Sequence, residues 1–220
     1  MNDCYLGFEY EKTLQIINAY KNLYEDLQSQ YMHKIVKKEY NYHSFGLHRG
    51  FYCPSIIEDI IIGNAKRGII KTRKSLTVPS YIFGFDADNN IITSQNEHSI
   101  EFIFIENDSE IGLTFDNNKL SLISIVQFKN NNLKYYLRSI IENDNIVEIS
   151  KEEYSFFKKQ MKVQWYIKSC CKINSFQQER YIFNIENERL VSYFVGNCNS
   201  NVTKKQTNNQ IYKVYLPRKI

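Results

Sequence analysis

Tyr81-Ile-Phe-Gly-Phe-Asp-Ala-Asp-Asn-Asn-Ile-Ile-Thr93 decides the fold: a short apolar run, a cluster of Asp and Asn, then a second apolar run. Such a segment reads as strand, turn, strand. The design returns with Ile100–Ile105 before Glu106-Asn-Asp-Ser109, and with Gly112–Phe115 before Asp116-Asn-Asn118. It returns again with Leu120–Phe128, Leu133–Ile141 and Tyr181–Ile185, each followed by a turn rich in Asn. The chain has only 8 Gly and 3 Pro, so Asn and Asp must make the turns. Their side chains bond nearby backbone and tolerate left-handed φ. Sequential hairpins at this spacing predict an antiparallel meander rather than β-α-β units.

Upstream the period is helical. Tyr10, Leu14, Ile17, Tyr20, Tyr24, Leu27, Tyr31 and Ile35 recur in steps of three and four, which predicts one long amphipathic helix. Lys34, Lys37 and Lys38 fall where its last turns would be, and the pattern dissolves between Tyr40 and Gly50. Ser55 and Glu58 have capping-box spacing, with Ile56, Ile57, Ile60 and Ile61 as an apolar face and Gly63 as a stop, so a short second helix is expected. Ser150 and Glu153 repeat the capping box ahead of Tyr154, Phe157 and Met161, predicting a helix inserted in the sheet. Val163–Ile173 reads as a strand, Asn197–Gln210 as a mobile loop and Ile211–Leu216 as a closing strand. The expected class is α+β: N-terminal helices packed on a long antiparallel β-meander with one inserted helix. It forms a single α+β domain over 1–220, with a helical N-terminal part over 1–65 and a β-rich part over 66–220.

Composition narrows the function class. Hydrophobic residues at 43% and charged residues at 24% are ordinary for a globular chain, and 220 residues can bury roughly 70% of the unfolded surface. No stretch has the ~20 apolar residues of a membrane-spanning helix, and the N-terminus lacks a secretory pattern. Five cysteines, Cys4, Cys53, Cys170, Cys171 and Cys198, are an odd, scattered set without a C-x-x-C pair, so reduced thiols in a cytoplasm are expected. The net charge of +4 is unevenly spread: +3 over residues 1–80, −7 over 81–148 and +8 over 149–220. An acidic block can attract a basic protein, although a solvated face is the plainer account.

Candidate chemistry concentrates in Tyr42–Cys53, where two glycines make an irregular connection. His43 or His48 can serve as a base and Cys53 as a nucleophile ahead of a helix start, with Arg49 as a further participant. A linker between helices is the competing reading, because no third, orienting group is evident. Lys66, Arg67, Lys71, Arg73 and Lys74 form a basic cluster that can bind phosphates, but no recognition helix or aromatic platform accompanies it. A nucleic-acid role would require the cluster to join the C-terminal lysines on one face, and it is the least favoured reading. Cys170 and Cys171 would face opposite ways in a strand. Asp86, Asp88, Glu106, Asp108 and Asp116 sit at turn positions, where they can either shape the backbone or present charge to a partner. No Gly-rich phosphate loop, G-x-S-x-G elbow or H-E-x-x-H pair occurs, so neither cofactor nor metal is expected.

The stretches Tyr81–Ile92 and Ile111-Gly-Leu-Thr-Phe-Asp-Asn-Asn-Lys-Leu120 resemble part of a bacterial immunity protein, the kind that neutralises polymorphic or contact-delivered toxins of the same cell. The resemblance extends in style over residues 80–195. It implies a non-enzymatic cytoplasmic protein that occludes a toxin domain, and it assigns no residue. A small hydrolase using the His43–Cys53 loop is the alternative class.

Overall fold

A computed structural model describes residues 6–58, 65–106, 109–129, 132–157, 159–170, 175–186, 189–197, 203–205 and 212–213. Two helices, α1 (Gly7–Tyr20) and α2 (Tyr24–Met32), precede β1 (Lys37–Tyr42). After a single 3-10 turn at Gly50–Tyr52 come β2 (Ile69–Lys71), β3 (Tyr81–Phe85), β4 (Ile91–Gln95), β5 (Ser99–Glu106), β6 (Ser109–Asp116) and β7 (Lys119–Lys129). The run continues with β8 (Asn132–Glu142), β9 (Asn145–Phe157), β10 (Gln160–Ser169), β11 (Ser175–Glu186) and β12 (Arg189–Asn197). Two short strands, β13 (Thr203–Lys205) and β14 (Tyr212–Lys213), both pair with β12.

All pairings are antiparallel, and from β3 to β13 each strand lies beside the next in sequence. The meander read from the hairpin pattern is therefore present. Its described two-residue turns use left-handed asparagines as expected: Asn117 and Asn118 have φ of +49° and +65°, and Asn143 and Asp144 have +49° and +63°. Positive φ at both central residues is the twist that a tight hairpin requires. The tips at 107–108, 130–131 and 187–188 lie outside the described residues.

The helical expectations need three corrections. The single long helix is two, broken at Lys21–Leu23, so that α1 lies over β7 and β9 while α2 lies over β5. Lys37 and Lys38 are not a helix end. They begin β1, which inserts between β3 and β2 and satisfies the amides of β3, and Lys37 pairs with Glu39 at 2.7 Å. The inserted helix at Ser150–Met161 does not exist. These residues form β9 and β10, where Tyr154 faces Val163 and Phe156 faces Met161 across the hairpin. An isolated helix there would leave the free edge of β8 unpaired. The strand satisfies that edge and buries Tyr154 and Met161, so tertiary pairing overrides the capping signal. In the C-terminal segment read as a loop, Thr203–Lys205 is strand; positions 198–202 and 206–211 lie outside the described residues, as do most of the expected closing strand and Cys171.

Apolar side chains fill both faces of the sheet. Phe102, Leu113, Ile123, Leu137 and Ile149 pack under α1 and α2. Lys151 ties Glu9 of α1 to that face at 2.6 Å, and the Thr13 hydroxyl meets that of Ser139 at 3.1 Å. On the other face Val126, Tyr136, Met161, Val163 and Phe183 cluster under Ile56 and Ile57, which come from the connection between β1 and β2.

The left-handed turns give a direct test. Asn118→Val should cost about 1–2 kcal/mol in urea unfolding, the strain of a β-branched residue at positive φ, whereas Asn118→Gly should be neutral or stabilising.

Candidate functional site

Of the connection from His43 to Gly68, the described residues 43–58 and 65–68 are laid over the second face of the sheet by a series of left-handed residues. His43 (φ +59°), Gly46 (+74°), Arg49 (+58°), Gly50 (+48°) and Gly68 (+75°) turn the chain back on itself. Asn41 pins both ends of the excursion: its amide nitrogen donates to the carbonyls of Arg67 (2.9 Å) and Ile69 (3.3 Å), and its oxygen accepts from Phe51 N–H (3.1 Å). Arg67 donates to the carbonyls of Phe51, Cys53 and Ser55 at 2.7–3.1 Å, so this member of the basic cluster is a backbone clamp.

Under this coil lies a buried polar network. The Arg49 guanidinium donates to Glu101 at 2.8 Å, to Ser124 Oγ at 2.9 Å and to Glu110. His48 Nδ1 is 3.2 Å from the Tyr136 hydroxyl; its Nε2 is 3.4 Å from Glu101 but too poorly aligned to form a hydrogen bond. Glu58 receives Arg138 at 2.8 Å and the His48 backbone N–H at 3.2 Å, while the Cys53 thiol lies 3.6 Å from it. The expected cap bond from Glu58 N–H to Ser55 Oγ forms at 2.9 Å, and Ser55 Oγ in turn donates to Glu152 at 2.5 Å. Expected helix residues Ile60, Ile61 and Gly63 lie outside the described residues.

The sheet is shaped to receive the guanidinium. A Cβ at Gly112 would stand 2.5 Å from Ser124 Oγ and still nearer Glu101 Oε1 and Arg49 Nη2, so only glycine lets the ion pair lie flat on β6. Arg49 is 5% exposed and Glu101 2%. Burial opposes charge on both, yet each holds the other ionised. The Arg49 pKa is raised by Glu101 and Glu110 despite its desolvation, and burial of Glu101 is outweighed by Arg49 and His48, leaving it at about 2. Glu152 goes the opposite way. Burial, with a contribution from the Glu58 charge, pushes it up to about 8 against the hydrogen bonds from Ser55 and Tyr154. It is therefore protonated at neutral pH.

The structure thus brings His48, Arg49 and Cys53 into one network and leaves His43 outside it, exposed. Cys53 is 2% exposed and its thiol faces a carboxylate, which disfavours the thiolate that nucleophilic attack requires. Among the described residues no group of His, Cys, Asp and Glu is placed to hold a metal. The partners that sequence reasoning missed, Glu101, Glu110, Arg138 and Glu152, are charges within strands. Glu101 sits between Ile100 and Phe102 and Glu152 between Lys151 and Glu153, and in either setting a charged residue reads as solvated.

The other candidate sets disperse. Lys66, Lys71, Arg73 and Lys74 are exposed along the β2 edge, with Lys71 5.1 Å from the Tyr42 ring centre. That edge and β13, which holds positions 204 and 205, stand at opposite ends of the strand order and are not paired with each other. Asp86 accepts from the Asn90 N–H (2.8 Å) and side chain (3.1 Å), and Asp116 accepts from Asn117 (2.9 Å), both as turn braces. Because hairpin turns alternate between the two ends of a meander, Asp86, Asp88 and Glu106 share one end and Asp116 lies at the other; Asp108 lies outside the described residues. No family model, curated protein or solved structure matches this chain.

Removing one partner of the buried pair should be costly. Arg49→Ala strands Glu101 and should destabilise by about 3–5 kcal/mol, and Gly112→Ala should cost about 1–3 kcal/mol by overpacking, both read from urea midpoints. Glu152 supplies a pH test. Its folded pKa is raised, so its contribution is complete below about 4.5 and is lost as pH rises through about 8. Glu152→Gln should flatten the decline in stability across that window; an unchanged slope would remove Glu152 as its cause.

Proposed function

We propose that this protein is a non-enzymatic protein-binding module of the immunity or antitoxin kind, acting in the cytoplasm by occluding a basic domain of a partner toxin. The observation that carries this reading is the fate of the reactive side chains. His48, Arg49, Cys53 and Glu58 are engaged in holding the described parts of the 43–68 excursion to the sheet, and Cys53 is left 2% exposed. Side chains committed to one another are poorly placed to turn over a substrate.

The hairpin tips support the binding role. At the end of the sheet that carries Asp86, Asp88 and Glu106, Ile105 is 69% exposed beside Glu106. Carboxylates around an apolar contact steer a basic partner toward a point where burial can add affinity. The tips sit on paired strands, so little ordering is required on binding. Tip residues can also vary without disturbing the ladder. The hydrolase alternative has no matching support, because His43 stands apart from the other three candidates.

The test is co-expression with the product of the adjacent gene. Relief of that product's toxicity and a one-to-one complex in light scattering are the expected outcome. Asp88→Lys with Glu106→Lys should weaken the complex at least 100-fold without altering thermal stability, whereas Asp86 is left intact because it braces its turn. Failure to form any complex would sink the reading.

A further inference from the structure

Beyond the tips, the helix-bearing face has an uncovered region. Cα pairing aligns Gln127, Tyr135, Glu153, Gln164 and Arg180 as successive neighbours on β7, β8, β9, β10 and β11. Residues paired in this way share a face of the sheet. A second row, Ser155, Lys162 and Ile182, runs beside it on β9–β11. Together with Lys134 they line a half-open groove of about 570 Å³. Five strands at ~4.8 Å spacing make the first row roughly 19 Å long, the reach of about six extended residues.

The groove is built for negative charge. Lys134, Lys162 and Arg180 are exposed, and among the described residues none has an ion-pair partner. Its carboxylate, Glu153, is already matched by Lys151 at 2.8 Å, and Lys151 also holds Glu9. The Tyr166 hydroxyl donates to Gln164 Oε1 at 2.8 Å, which engages the amide oxygen and leaves its nitrogen as a donor. Tyr135 and Ile182 supply half-buried apolar floor.

We propose that this groove binds an extended acidic peptide segment of the partner protein, with Lys134, Lys162 and Arg180 taking its carboxylates and Gln164 its backbone. The proposal rests on the protein-binding reading above. Two other occupants fit less well. Positions 198–220 of this chain carry Lys204, Lys205, Lys213, Arg218 and Lys219 and no Asp or Glu, so they would be repelled. Single-stranded nucleic acid binds on successive aromatic platforms, whereas Tyr135 and the buried Tyr154 are the aromatic residues lining this groove.

A fluorescent decapeptide of alternating Glu and Ser, titrated at 0.1 M salt, is the probe. The expected result is saturable binding, with amide shift changes confined to β7–β11. Lys162→Glu with Arg180→Glu should weaken binding at least tenfold, and Lys71→Glu with Lys74→Glu on the far edge should leave it unchanged. Equal binding of a ten-residue oligothymidylate, equal binding by the groove variant, or no binding at millimolar peptide would each overturn the proposal. The partner complex separates the two ideas. A complex unaffected by the groove variant removes the groove and keeps the module; peptide binding with no partner complex keeps the groove and removes the module.

Discussion

A guanidinium laid flat on a β-sheet is the constraint from which the second face follows. Arg49 reaches the sheet from a left-handed backbone position, a conformation that costs a non-glycine residue about 1–2 kcal/mol. It ends 2.8 Å from Glu101 and 2.9 Å from Ser124, over a strand position where only a glycine leaves room. Once it is there, the described parts of the 43–68 excursion cannot lift without exposing Ile56 and Ile57 and parting Arg49 from Glu101. A buried ion pair adds little net stability once its desolvation is counted. The network therefore specifies where the excursion lies more than it adds net stability.

That placement determines what chemistry is open to the molecule. Glu58 gathers Arg138, the His48 backbone and the Cys53 thiol, and Glu101 holds Arg49 beside the His48 ring, so three of the four side chains that look reactive in sequence lie against two buried carboxylates. Glu152, close by, stays protonated because burial and the Glu58 charge disfavour a second anion there. The polar interior is then balanced on two carboxyl groups of opposite habit, Glu101 ionised and Glu152 neutral. What remains outward is the set of hairpin tips and the cationic groove on the helix-bearing face. These are surfaces for recognition, presented by strands that are hydrogen-bonded on both sides.

Much of the sheet was legible because its signal is local. The apolar runs on either side of Asp86–Asn90, and the Asn-rich turns at 117–118 and 143–144, dictate hairpins whatever lies nearby. The capping box at Ser55 was legible for the same reason, and its hydrogen bond is present. The identical signal at Ser150 failed, since the free edge of β8 offered those residues a ladder that no local helix could match. Lys37 and Lys38 misled similarly: two lysines after an amphipathic run look like a helix end until β3 claims their backbone. His48, Arg49 and Cys53 were visible as a dense group, but their partners Glu101, Glu110, Arg138 and Glu152 were hidden, because a charged residue in a strand gives the same pattern whether water or another segment covers it.

By itself, then, the sequence determined the periodicities: helical stripes at the start, a two-residue alternation thereafter, and turns built from asparagine. Only the tertiary structure decided which polar face would be roofed over, which of two capping boxes would form its cap bond, and which charges would be neutralised in pairs. The physical reason is range. Dihedral preferences and alternation act over a few residues, whereas the ion pair that joins Arg49 to Glu101, and the strand pairing that turns Ser150–Phe157 into β9, exist only after distant parts of the chain have met.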